Sequence, residues 1–373
     1  MAFTTINKST LHHNTLLYTG NGATSTAGTS ARTISGVGFQ PDFTWVKART
    51  NGGTAYMSHS LHDVVRGVPK TLESNANADE DDVTTGYGSG GIGSFASDGF
   101  NIHSGTSGGT NNWNGSGSTY ASWNWKAGTT GSGTTTGSGT GKAYSYSVNT
   151  TSGFSIVKYV GNGTAGHTIP HHLGATADLV IVKARGNSES WQVISKAMDA
   201  DKFIQLDSAD AEMSQGSYNM FNSTRPNSTV VTLGNQNHTN QDGINYIMYA
   251  FAEKTGYSKF GMYKGNSSLM GDSQHAPMIY TGFKPTTLII KGTASSRDWY
   301  IWNNKNLGYN LDNNELYPSD NSAEGTADKV GLMSNGFKLN HSGSGVNNNG
   351  ETYLYMAWGQ SIVGSNNVPC TGR

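Results

Sequence analysis

Three stretches of this chain end on the same chemistry: TYASWNWKAG at residues 119–128, NYIMYAFAEKTG at 245–256 and TYLYMAWGQ at 352–360. Side chains of a strand alternate between its two faces. In the second stretch Tyr246, Met248 and Ala250 fall on one face, and Ile247, Tyr249 and Phe251 on the other. Both faces are apolar, which predicts a central strand covered on both sides.

Reading outward from these runs, the same markers precede each of them in the same order. Tyr-x-Gly-Asn occurs at Tyr18–Asn21, Tyr159–Asn162 and Tyr263–Asn266. A run ending near Lys follows: PDFTWVKA (41–48), ADLVIVKA (177–184) and PTTLIIKG (285–292). Next come Leu72, Leu206 and Leu316, each leading to a small–acidic pair at Ala78-Asp79-Glu80, Ala211-Glu212 and Ala323-Glu324. SDGFNI (97–102) and SNGFKL (334–339) match, with STVVTL (228–233) between them. Repetition at this spacing marks tandem domains rather than a short-period solenoid. The expected layout is module one over 1–127, a linker over 128–149, module two over 150–256 and module three over 257–373.

Asp98-Gly99, Asn335-Gly336, Asn349-Gly350 and Asp242-Gly243 are hairpin signals between the short strands. The predicted fold is all-β: three β-sandwich-like modules, with jelly-roll and lectin-like topologies both compatible. HSLHDVVR (59–66) carries weak helical spacing and predicts a helical turn. The linker contains TTGSGTTTGSGTGKAY (129–144), which has no apolar face and reads as flexible. Modules two and three meet with almost no spacer, so they are expected to be rigidly coupled and module one hinged.

Composition narrows the function. The chain has 50 glycines in 373 residues, about twice the usual share of ~7%. Charged residues make up 13% and hydrophobic residues 34%, yet there are 18 Tyr, 12 Phe and 8 Trp. Disordered chains are poor in aromatics, so a folded chain rich in polar turns is expected. Lys plus Arg is 24 against 25 for Asp plus Glu, a net charge of −1. A general nucleic-acid or anionic-membrane binder needs a basic surplus. No apolar run approaches the ~20 residues of a spanning helix. The opening MAFTTINKST lacks a signal-peptide pattern, so the chain is expected to be made in a cytosol, which is compatible with work inside or outside a cell. The single cysteine, Cys370, excludes an intrachain disulfide framework and a Cys-based zinc cluster.

Longer motifs carry a resemblance. TTINKST (4–10), GVGFQPDFTWVK (36–47), HDVVRG (62–67), SFASDGF (94–100), TYASWNWKAG, NTTSGFSIVKYVGNG (149–163) and SNNVP (365–369) resemble a family of tandem-module virion structural, or tail-fibre, proteins of marine and cyanobacterial phages. The resemblance runs over nearly the whole chain. It implies a place on the virion surface, other virion proteins as partners, and no catalytic motif. It leaves open a tail fibre or receptor-binding appendage engaging host surface polysaccharide, a capsid decoration or head-fibre protein, and a polysaccharide-degrading tailspike. A homo-oligomer, by the habit of phage appendages a trimer, is expected.

A glycosidase needs two carboxylates about 5–9.5 Å apart. Glu80, Glu212 and Glu324, with Asp320 nearby, are the candidates. Their recurrence at one module position points instead to a structural role, so no catalytic residue is assigned. Asp79-Glu80-Asp81-Asp82 lacks the calcium-loop pattern and reads as a solvated acidic loop. His12-His13 and His171-His172 point to opposite faces of a strand. His59 and His62 lack cysteine partners, although His62 with Asp63 and Arg66 suits a polar network. No metal site and no cofactor are assigned. Gly20-Asn-Gly22 and Gly161-Asn-Gly163 lack the phosphate-loop Lys and read as β-turns. Sugar sites combine aromatic faces with polar partners. On that ground Trp299, Tyr300, Trp302, Tyr309 and Tyr317, amid Asn303, Asn304, Asn306, Asn310, Asn313 and Asn314, are the candidate glycan contacts. Trp113 is a weaker one. Trp299 also matches Trp191 of module two in position, which favours core packing.

Overall fold

The computed structural model describes residues 3–50, 58–85, 90–107, 111–269, 276–306, 313–343 and 345–363. The protein is all-β, built from antiparallel sheets. In module one a four-stranded sheet runs in the order His13–Thr19, Thr119–Trp125, Phe43–Ala48, Ser60–Asp63. Module three repeats it with Ser258–Lys264, Thr352–Gln360, Lys284–Gly292 and Trp299–Asn303. Module two carries the same order, Phe154–Val160, Asn245–Phe251, Leu179–Ala184, Gln192–Ser195, within an eight-stranded sheet. A three-stranded sheet covers one face of each, forming a sandwich with its own core.

The closing aromatic strand is the second strand of this order every time, with a neighbour on each side and both faces buried. One face of the sheet packs into its own module. Tyr120, Tyr246 and Tyr353 point there. The other face packs into a core shared by all three modules. There Trp125, Phe251 and Trp358, one from each module, form a triangle of rings. Trp125–Trp358 is 5.5 Å, Phe251–Trp358 5.2 Å and Trp125–Phe251 6.4 Å between centroids. The three sandwiches therefore surround a common axis, and module one is as firmly seated as the other two.

Tyr-x-Gly-Asn is the local device that fixes each inner sheet to its outer turn. Tyr18 stacks on Tyr120 at 4.8 Å, Tyr159 on Tyr246 at 5.1 Å and Tyr263 on Tyr353 at 5.1 Å. The Asn N–H donates to the side-chain oxygen of Asn114, Asn240 or Asn347, at 3.1, 2.9 and 2.9 Å. Between them the backbone must approach closely. A Cβ on Gly161 would lie 2.3 Å from the Gln241 carbonyl oxygen. Gly161→Ala is expected to cost about 1–3 kcal/mol through this overpacking. Equilibrium urea unfolding checks it, and an unchanged midpoint would refute the close-approach explanation.

Two expectations need correction. Residues 128–149, read as a flexible linker, contain an antiparallel hairpin: Thr129–Thr134 pairs with Ala143–Asn149 and extends the inner sheet of module two. Gly131 and Gly133 face Tyr146 and Tyr144, whose rings occupy the space a Cβ would need. The glycines are thus seats for aromatic rings, a known way of stabilising glycine-bearing edge strands. HSLHDVVR does not form the predicted helical turn. Ser60–Asp63 is a fully buried strand, and the turn follows it. Cross-strand pairing with Phe43–Ala48 outweighs a weak helical period.

Candidate functional site

The repeated polar residues converge on the seams where one module meets the next. The strand-ending lysines, Lys47, Lys183 and Lys291, are all buried. Each ammonium donates to the carbonyl of the following residue: Ala48 at 2.8 Å, Ala184 at 2.8 Å and Gly292 at 3.0 Å. Each also reaches into a neighbour. Lys47 binds the Ser322 carbonyl at 2.9 Å, Lys183 that of Asn77 at 3.2 Å and Lys291 that of Ala209 at 2.9 Å. Module one thus grips module three, module two grips module one and module three grips module two. The ring closes. Burial pushes Lys47 down to about 7, and Lys183 and Lys291 to about 8.

The repeated glutamates sit beside them. Backbone N–H groups of Glu324, Glu80 and Glu212 donate across the seams to the carbonyls of Arg49, Arg185 and Thr293, each at 2.9 Å. In two seams the side chains add charge-assisted pairs, Arg49–Glu324 at 2.7 Å and Arg185–Glu80 at 2.6 Å. The third seam has Thr293 in place of Arg, and burial raises Glu212 above the usual carboxylate range. Glu80 also meets Arg66 at 3.2 Å, and Arg66 Nε donates to Asp63 at 2.5 Å. The Tyr249 hydroxyl of module two donates to the same Asp63 carboxylate at 2.8 Å. This buried chain of groups joins modules one and two. It was legible only as the Asp63–Arg66 fragment.

Opposite each lysine stands a ring. Trp191 Nε1 donates to the Glu73 carbonyl at 2.9 Å and Trp299 Nε1 to that of Gln205 at 2.8 Å. His59 takes this place in module one, with Nε2 facing the Tyr317 carbonyl at 2.8 Å and Nδ1 accepting from Trp45 Nε1 at 2.7 Å. Burial, with Lys47 nearby, holds His59 far below its ordinary value and so neutral. Burial likewise lowers His13 and His62 to about 3.

These shifts predict a pH dependence. The unfolded lysines bind protons up to a pKa near 10.5, whereas the folded ones release them at about 7–8. Between those limits the unfolded state holds more protons, so stability rises with pH. For the buried histidines, protection is complete above about 6.5 and is lost as pH falls toward the folded values. The urea midpoint is expected to climb from pH 5 to 9.5, and Lys47→Met to flatten the part above pH 7. A midpoint that falls over pH 7–9.5 would exclude the lysines as the titrating groups.

The candidate glycan contacts are mostly interior. Trp299 and Trp302 are 0% exposed and Tyr300 is 8% exposed. Their strand is buried along its whole length because it packs between the shared core and the core of module three, so these three rings offer no face to a sugar. Tyr317 is half-buried against the module-three core and bonded to Glu315 at 3.1 Å. Tyr309, Asn310 and Cys370 lie outside the described residues. Trp113 is buried in module one.

The acidic run is not simply solvated, because Glu80 is clamped by two arginines. Asp320 accepts from Ser322 within its own exposed turn. His171 bonds to the Asn227 carbonyl and His172 to the Tyr144 hydroxyl. No cluster of three or more His, Cys, Asp or Glu placed to hold a metal occurs among the described residues. An open groove of about 570 Å³ lies between modules one and two, beside Leu11, His12, Phe39, Lys126 and Asn149. No helix among the described residues is long and apolar enough to cross a membrane.

Fold and seams define a single-chain protein of three β-sandwiches closed around one axis, with its recurring charged residues spent on joining them. The chain belongs to the family described as Domain of unknown function (DUF7483), whose model matches residues 8–361. That one match runs through all three modules. No curated protein and no solved structure matches the chain.

Proposed function

We propose that this is a non-enzymatic structural protein of a bacteriophage particle, made in the host cytoplasm and displayed on the virion surface. The preferred role is a compact knob on a tail fibre or receptor-binding appendage. The observation that carries this reading is the closed ring of buried lysine seams. A body locked module to module, with its repeated acids held by arginines or backbone, suits persistence outside a cell. The motif resemblance supplies the phage context. Near-neutral charge supports protein partners rather than nucleic acid. The three interior aromatics give glycan recognition no support, so host polysaccharide binding would rest on other surfaces.

A second reading, a capsid decoration protein, is favoured by the threefold arrangement within one chain, since such a body suits a threefold position of a shell. Cryo-electron microscopy of the particle tests both. Density of this shape at the tail periphery supports the first reading, and density at regular lattice positions replaces it with the second. Absence from purified particles would overturn both.

A further inference from the structure

One cluster in module three is not part of the repeat. Glu315 precedes Leu316 where Thr71 and Gln205 precede Leu72 and Leu206, so neither other module has an acid there. Glu315 is 0% exposed. One oxygen contacts the Lys329 ammonium and accepts from the Tyr317 hydroxyl. Lys329 Nζ lies 5.0 Å from the centroid of the Tyr300 ring, and Tyr300 packs against Tyr317. The pair thus sits in an aromatic, water-poor setting.

Beside it stands Asn340. Val330 pairs with Leu339, and Asn340 N–H donates to the Lys329 carbonyl at 2.8 Å, so Lys329 and Asn340 are direct cross-strand neighbours. Such neighbours share a face, with Cβ atoms about 4.5–5.5 Å apart. Both side-chain polar atoms of Asn340, and the second oxygen of Glu315, are shielded from solvent without a hydrogen-bond partner. Each polar atom left so is destabilising, because it has given up water without gaining a partner. A plain buried ion pair accounts for Lys329 and Glu315, but it leaves all three of these atoms unexplained.

We propose that Lys329 and Asn340 form an intramolecular isopeptide bond, with Glu315 transferring the protons. The ammonium proton passes to Glu315 along their direct contact. The freed Nζ lone pair attacks Asn340 Cγ. Glu315 relays that proton to Nδ2, the Cγ–Nδ2 bond breaks and ammonia leaves, while the second proton lost by Nζ stays on Glu315. One C–N bond forms, one breaks, and nothing is oxidised or reduced. The new amide N–H donates to Glu315, giving the orphaned oxygen its partner. The bond staples the open end of the Val330–Leu339 hairpin in the outer sheet, a further fixture in a protein that rests on the proposed surface role.

The test is the intact mass of the denatured full chain. The expected result is a deficit of about 17 Da, the mass of ammonia, against the sequence mass. Trypsin should then fail to cleave after Lys329 and yield residues 306–338 joined to 339–373. Lys329→Arg and Glu315→Gln should each restore the full mass. A wild-type chain at full sequence mass overturns the proposal. So does a deficit that persists in Lys329→Arg, because a cyclic imide at Asn335-Gly336 or Asn349-Gly350 loses the same mass without the branched peptide. This readout is independent of where the protein sits on a particle.

Discussion

Arg66→Met is expected to lower the unfolding free energy by about 3–5 kcal/mol, the usual consequence of removing one partner from a buried charged pair. Arg66 is inaccessible to solvent along its side chain. Its guanidinium binds the Asp63 carboxylate, Glu80 and the Leu61 carbonyl, the last at 2.7 Å. Methionine fills the volume but leaves Asp63 with a negative charge inside the protein. Two backbone N–H groups, of Val65 and Arg66, and the Tyr249 hydroxyl still point at that carboxylate. They soften the loss without neutralising the charge. Glu80 retains Arg185, so the damage centres on Asp63. Equilibrium guanidinium unfolding of Arg66→Met, Asp63→Asn and the double variant measures the coupling. The double variant should recover part of the loss, because it no longer buries an unpaired charge. A loss under about 1 kcal/mol for Arg66→Met would place the pair among weakly coupled surface bridges and contradict its burial.

The strands were readable because their information is local. Alternation, β-branched runs and Asn-Gly or Asp-Gly turns are written within ten residues of one another. The closing strands and the strand-ending lysines are where the repeats place them. What the lysines do was not readable. Each binds a carbonyl more than 80 positions away, in another module, and a backbone acceptor leaves no mark in the sequence. The hairpin at 129–149 was missed for a related reason. Gly131 and Gly133 look like punctuation until Tyr146 and Tyr144 are paired against them. The aromatics of module three misled in the opposite way. Exposed sugar platforms and core rings share a composition, and only the buried strand Trp299–Asn303, sealed between two cores, tells them apart. The positional match of Trp299 with Trp191 was the available signal, and it pointed to the interior. His59 was harder still, since an imidazole in the place of two tryptophans breaks the repeat in letters while its Nε2 keeps the contact with the neighbouring carbonyl.

Trp358→Ala is the second large effect. Burial of a tryptophan in a packed core is worth about 3–5 kcal/mol against alanine, and Trp358 is 3% exposed. Its ring meets Trp125 of module one, Phe251 of module two and Phe260 of its own module, all at 5.2–5.5 Å. The lost contacts are therefore shared, and the consequence differs from an ordinary core deletion. If the modules fold as one unit around the axis, calorimetry of Trp358→Ala gives a single transition moved to lower temperature. Phe337→Ala, which empties the private core of module three, provides the comparison. In a chain of independent modules both variants would split off an early transition of module three and leave the other two at the wild-type temperature. In the closed ring, Trp358→Ala weakens all three modules together, because no module can move away from the triangle without exposing the ring faces of the other two. A separate early transition in Trp358→Ala would show that module three unfolds on its own and that the ring is not one cooperative unit.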